Sequence, residues 1–224
     1  STEMMGSDMV MAWWRRRDFI AAALAGCYGA GLSAQTPAAA RTILILGDSL
    51  SAEYGLKRGT GWVALLEQRL AREKIAARVV NASISGDTTS GGRSRLPALL
   101  AREKPTHVVI ELGGNDALRG LPLAMTEDNL TAMTRAAQAA GARVLLVGMQ
   151  VPPNYGTDYA RQFAGVFGKV ATATRAAVVP FFLKGVADGK DPVRLFQPDR
   201  IHPREEAHPI MLDNVWPELR KLLR

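Results

Sequence analysis

Cysteine is nearly missing from this chain: Cys27 is the single one in 224 residues. An internal disulfide framework and a cysteine-based zinc finger are both excluded by that count. Histidine is scarce too, with only His107, His202 and His208, which leaves little room for a His-rich metal site. No organic cofactor or metal is expected. No apolar run reaches the roughly 20 residues that a membrane-spanning helix needs. Blocks of like charge are also lacking. Lys and Arg total 28 against 21 acidic residues, a net charge of +7, which suits anionic partners. Yet the longest basic run is Arg15-Arg16-Arg17, so there is no basic stripe and no nucleic-acid partner is expected. What remains, 47% hydrophobic and 22% charged, is the composition of an ordinary globular protein. A chain of this length can bury enough surface to fold without staples. Nothing in it specifies an oligomeric state.

Residues 1–34 read as an export signal. Ser1-Thr2-Glu3 precedes Met4, Met5, Met9 and Met11, any of which can be the natural start. Arg16-Arg17-Asp18-Phe19-Ile20 then opens an uncharged, Ala- and Gly-rich stretch. A basic segment, a short apolar segment and small residues near Ala34 make a secretory signal, and the Arg pair followed by Phe-Ile resembles the twin-arginine type. Cleavage after Ala34 would release a periplasmic protein starting at Gln35. Alternatively, Leu24-Ala25-Gly26-Cys27 resembles a lipobox, with Cys27 lipidated as a membrane anchor. The apolar run Phe19–Gly26 is short for that purpose, which favours release. Gly29-Ala30-Gly31-Leu32-Ser33-Ala34 matches a dinucleotide-binding string, but no strand precedes it and no helix pattern follows, so it carries no weight.

Residues 35–224 read as one domain. Short apolar runs at Thr42–Leu46, Arg78–Asn81, His107–Leu112, Arg143–Met149 and Ala177–Phe182 alternate with helix-period segments. The runs are apolar throughout, as in strands covered on both faces of a parallel sheet. Helices are expected near 60–74, 88–103, 126–140, 157–176 and 204–223. Thr126 suits a cap and Gly141 a stop for the third of these. Met133, Trp62 and Trp216 read as helix-face packing. The alternation implies right-handed βαβ units and a three-layer α/β/α sandwich on a five-stranded parallel sheet, flavodoxin-like in plan.

In such a sheet the ligand site lies outside the carboxyl ends of the strands. The residues that follow the strands include Ser49, Gly86, Asn115, Asp199 and His202. A serine hydroxyl attacks only when a base takes its proton, and the base needs an acceptor on its other nitrogen. His202 fits the base and Asp199, three residues earlier, its partner, with Pro198 and Pro203 restraining the loop. The oxyanion needs preorganised donors: the Ser49 and Gly86 N–H groups and the Asn115 side chain fit. Each has a plainer role alone. Ser49 can cap a helix, and Gly86, Asn115 and Asp199 suit turns. Their joint occurrence at successive strand ends favours catalysis. Asp48 reads as a structural acceptor for loop amides, His107 as a surface or core residue, and His208 as packing or capping support. Arg93, Arg95 and Arg119 read as solvated, with Arg119 within reach of a charged headgroup.

Four ordered blocks carry a family likeness: Gly47-Asp48-Ser49-Leu50, Ser85-Gly86-Asp87, Gly113-Gly114-Asn115-Asp116 and Asp199-x-x-His202. They resemble the GDSL (SGNH) hydrolase family, and within it the bacterial periplasmic thioesterase/lysophospholipase/arylesterase group. The resemblance implies an acyl cleft between the loop after Asn115 and the Asn-Tyr-Gly loop. Here Leu118, Val151, Pro152, Asn154 and Tyr155 would bind substrate. The implied function is an exported serine esterase acting on carboxylic ester or thioester bonds of acyl substrates. An SGNH-type O-acyltransferase, a carbohydrate O-acetylesterase and a catalytically silent binding domain remain open.

Overall fold

The computed structural model describes residues 41–224. The export signal, Cys27 and the Gly29–Ala34 string lie outside the described residues. Five strands form one parallel sheet: β1 (Arg41–Gly47), β2 (Ala77–Asn81), β3 (His107–Glu111), β4 (Arg143–Val147) and β5 (Ala177–Val179). Their order is β2-β1-β3-β4-β5. Because β2 and β3 leave β1 on opposite sides, a crevice opens where the ends of β1 and β3 lie together. The register places Gly47 beside Glu111 there.

Among the described residues there are six α-helices, of which all but the short α3 cover the sheet: α1 (Trp62–Arg72), α2 (Thr89–Glu103), α3 (Gly114–Leu118), α4 (Leu123–Ala139), α5 (Thr157–Thr174) and α6 (His208–Leu222). Helices α1 and α6 pack together against one face, and α2, α4 and α5 against the other. The three layers follow from composition. Ile43 through Leu46 and Val108 through Ile110 are wholly buried, so both side-chain sets of these strands need cover. Met133, Trp62 and Trp216 are buried where helix packing was expected.

Several boundaries differ from expectation for identifiable reasons. Strand β2 is an edge strand whose burial is only partial, unlike the fully covered run expected. β5 stops at Val179 because Pro180 brings no N–H to continue a ladder. α4 starts at Leu123, ahead of Thr126, with Pro122 in the capping position. Thr126 therefore caps nothing. It is buried inside the helix and its hydroxyl donates to Asp116 Oδ1 at 3.3 Å. The short helix α3, between β3 and α4, is too brief to show a period.

Candidate active site

Strand β1 ends at Gly47, and the chain turns sharply: the N–H groups of Ser51 and Ala52 both donate to Asp48 O, at 3.2 and 3.0 Å. The turn lifts Ser49 to the carboxyl edge while Asp48 points inward, 3% exposed. Gly47 is required there, since a Cβ on it would sit 2.8 Å from the Ser51 side chain. From the far end of the domain, the loop after Phe196 brings His202 to the same point. His202 Nε2 lies 2.9 Å from Ser49 Oγ, and its Nδ1 lies 2.6 Å from Asp199 Oδ2. The other Asp199 oxygen accepts the N–H groups of Ile201 and His202, both at 3.0 Å. Partial desolvation pushes the Asp199 carboxyl up, but the hydrogen bonds from the His202 backbone, the His202 ring and the Ile201 backbone outweigh it, holding Asp199 at about 2. An ionised Asp199 can only accept, so Nδ1 carries the ring proton and Nε2 is left to accept from the Ser49 hydroxyl. The three residues are brought together in one relay.

Two features missed in the sequence hold this relay. The Tyr54 ring lies against the His202 imidazole with centroids 4.2 Å apart. Gln197 Nε2 donates to Tyr54 O at 2.9 Å and to Pro203 O at 3.1 Å, tying the serine loop to the histidine loop.

Gly86 lies in the loop after β2, and Asn115 in the first turn of α3, just past β3. Gly86 has φ of +80°, a conformation that favours glycine. Among the described residues neither the Ser49 N–H nor the Gly86 N–H has an acceptor, as expected of groups reserved for a ligand. Asn115 differs. Its Nδ2 donates to Asp48 Oδ2 at 3.0 Å and to Asp87 O at 2.9 Å, so both amide hydrogens already have protein acceptors. Asp48 thus does more than hold loop amides. Its Oδ1 takes the Leu50 N–H at 3.0 Å, and its other oxygen orients the asparagine.

Beneath it lies a second carboxyl, one not among the expected site residues. Glu111 ends β3, is 2% exposed, and accepts the Ser51 hydroxyl at 2.8 Å. Trp62 Nε1 donates to that same hydroxyl at 3.0 Å. Burial raises Asp48 to about 6; burial and the adjacent Asp48 charge raise Glu111 well above the carboxylate range. The pair therefore holds a proton under the serine loop. A carboxylate closing an otherwise apolar strand was the available signal.

Of the three arginines expected to be solvated, Arg93 and Arg119 are exposed, and Arg95 alone is partly buried. Arg95 Nε pairs with Asp87 at 2.8 Å, both half-buried or less exposed, and its other nitrogens donate to the carbonyls of Ala82 and Gly47. It braces the loops after β1 and β2. Arg93 donates to Asn129 at 3.1 Å. Arg119, though exposed, donates to Gly86 O at 2.8 Å. His107 is a core residue, its Nε2 2.9 Å from Leu222 O. His208 is buried and accepts the Trp62 N–H at 3.0 Å, capping α1 from another helix.

Of the expected substrate contacts, Leu118 and Tyr155 are exposed, at 40% and 41%. Pro152 and Asn154 are exposed on their loop. Val151 belongs to the core instead, beyond the end of β4 at Val147. Tyr54, Ile84 and Ile201 add exposed apolar groups, from the loops that carry Ser49, Gly86 and His202 respectively.

The model of the GDSL-like lipase/acylhydrolase family matches residues 45–210, a span that takes in every residue of the relay. Esterase TesA of Pseudomonas aeruginosa is 54% identical over 200 residues, covering 89% of this chain and 98% of that protein. Thioesterase 1/protease 1/lysophospholipase L1 of Escherichia coli is 41% identical over 186 residues, covering 83% and 86%. The crystal structure of the psychrotrophic esterase EstA from Pseudoalteromonas sp., inhibited by monoethylphosphonate, matches with a TM-score of 0.76 at 43% identity, covering 82% of this chain and 98% of that one. With motif order, sheet topology and overall sequence in agreement, the chain belongs to the GDSL-like lipase/acylhydrolase family and is an enzyme of the ester-hydrolase type.

Proposed function

We propose that the protein is an exported serine esterase that hydrolyses carboxylic ester or thioester bonds of acyl substrates, with Ser49 as nucleophile, His202 as general base and Asp199 as its partner. The observation that carries this reading is the unbroken relay from Ser49 Oγ through the imidazole to Asp199, with links of 2.9 and 2.6 Å. Ser49 Oγ attacks the acyl carbonyl carbon and its proton passes to His202 Nε2. The carbonyl π electrons move to oxygen, where the Ser49 and Gly86 N–H groups and Asn115 Nδ2 receive the charge. Collapse expels the alcohol or thiol, which takes the proton from His202 and leaves an acyl-Ser49 ester. Water then repeats the sequence, giving the carboxylic acid and free Ser49. Every proton has a protein or water partner, so the cycle calls for no cofactor.

The exposed Leu118, Pro152, Asn154 and Tyr155 would flank the acyl chain, and Val151 would support their loop from below. Residues 1–34 would direct export to the periplasm. Among the described residues, no helix is long and apolar enough to cross a membrane. The test is covalent labelling with a fluorescent alkylphosphonate, followed by mass spectrometry of the adduct. Wild-type protein should be labelled on Ser49, and Ser49→Ala should lose both labelling and esterase activity while keeping its thermal unfolding. Labelling that survives in Ser49→Ala would move the nucleophile, with Ser83 and Ser85 next to examine.

A further inference from the structure

Arg119 carries a charge with little compensation at the rim of the site. It closes the last turn of α3, and its backbone N–H donates to Asn115 O at 3.2 Å. One helical turn therefore separates it from the Asn115 amide. Its side chain crosses to the loop after β2, where Nη2 donates to Gly86 O at 2.8 Å. A Cβ placed on Gly86 would lie 3.8 Å from that nitrogen, so the guanidinium rests against the open side of the glycine. It spans the two loops that present Gly86 and Asn115. Its partner there is a neutral carbonyl, which occupies one of the five N–H donors. Among the described residues Arg119 forms no salt bridge, whereas the neighbouring Arg95 is paired with Asp87. The adjoining exposed side chains are apolar: Leu118 is its chain neighbour, and Ile84 lies on the Gly86 loop, 52% exposed.

A fixed cation beside apolar surface, at the edge of an oxyanion pocket, fits an amphiphile. The reacting carbonyl must sit at Ser49, so an anion on Arg119 is a separate group of the same molecule. We infer that Arg119 is a recognition site for a phosphate carried by the acyl substrate, with its unused forked N–H groups meeting phosphate oxygens. The inference rests on Ser49 being the nucleophile. Two substrate classes bring such a phosphate: acyl thioesters of a nucleotide-bearing thiol, such as acyl-CoA, and lysophospholipids.

The experiment compares kcat/KM for decanoyl-CoA and p-nitrophenyl decanoate, and for lysophosphatidylglycerol and the matching monoacylglycerol. Using each neutral ester as reference removes any general effect of releasing Gly86. In Arg119→Gln the charged-over-neutral ratio should fall about tenfold, carried mainly by KM, the size expected of one charge-assisted contact at an exposed site. Arg119→Lys should restore a good part of it, and added salt should erode the wild-type preference. The pair whose ratio falls names the phosphate source. Equal losses on charged and neutral substrates would overturn the inference and leave Arg119 as a brace for Gly86. Binding separates this from failure of the esterase reading. By calorimetry, Ser49→Ala should bind decanoyl-CoA about tenfold more tightly than Ser49→Ala/Arg119→Gln. Equal affinities would also overturn it, whatever the turnover data show.

Discussion

Asn115 is asked to serve two masters, because both hydrogens of its amide are already accepted, one by Asp48 and one by Asp87 O. In the proposed cycle an arriving oxyanion would have to share one of them. What the asparagine then contributes is orientation: its amide is held in place before charge develops, and no reorganisation is needed. Asn115→Ala should accordingly lower kcat by on the order of 10²–10³ with a smaller change in KM. Steady-state kinetics on a single ester would decide, and a change confined to KM would make Asn115 a substrate-binding residue. Glu111 poses the complementary case. Burial and the Asp48 charge favour its protonated form, so Glu111→Gln, which keeps the shape without a charge, should retain folding and most activity at neutral pH. Glu111→Leu strands the Ser51 hydroxyl and should cost about 1–3 kcal/mol in denaturant unfolding. Comparable losses in both variants would mean that the carboxyl works ionised. The side chains that meet as Ser49, His202 and Asp199 were legible as a group, because the proposed chemistry dictates their types and the segments after the strands dictate their places. Glu111 was marked only by closing an apolar run, which signals burial without naming the Asp48 and Ser51 groups beside it.

At the level of elements, the sequence yields what depends on neighbours along the chain and hides what depends on neighbours across it. All five strands and the five longer helices were legible from apolar runs and period. Thr126 was misread because Thr near an expected start suits a cap as well as a buried partner for Asp116, and only the fold chooses. His208 illustrates the same limit. It opens α6 yet completes α1, taking the Trp62 N–H that α1 leaves unsatisfied. The two histidines six residues apart therefore belong to different structures and should fail differently. His202→Ala should remove nearly all turnover, because the Ser49 proton loses its acceptor, while unfolding changes little. His208→Ala should cost about 1–3 kcal/mol by leaving a buried N–H unpaired, with kcat mostly preserved. Measuring kcat and the denaturation midpoint on both variants separates the roles. Full activity in His202→Ala with loss in His208→Ala would overturn the assignment and the Asp199 partnership with it.

Across the whole molecule, buried titrating groups oppose one another. Burial depresses His208 to about 4 from 6.5, against the pull of Glu53 and the bond to Pro203 O. Between those values the unfolded chain takes up a proton that the folded chain refuses, so stability present above pH 6.5 is lost as pH falls towards 4. The size is roughly 3 kcal/mol. Asp48, raised from 3.8 to about 6, acts with the opposite sign: the folded chain binds a proton the unfolded chain does not, and stability is lost as pH rises through 6. That contribution is also roughly 3 kcal/mol, and Glu111 acts in the same direction. The windows overlap, so between pH 6.5 and 4 these opposing contributions partly cancel in the wild-type Tm. Below that range Asp199, held at about 2, adds stability that exists above 3.8 and is lost as pH falls through 2, reduced by its exposure. Each variant should expose the term its partner conceals. Relative to wild type, His208→Gln should gain stability as pH drops from 6.5 to 4, and Asp48→Asn should lose it over the same interval. Calorimetric Tm measured at several pH values for the three proteins decides the matter, because three parallel curves would show that neither buried group is linked to folding.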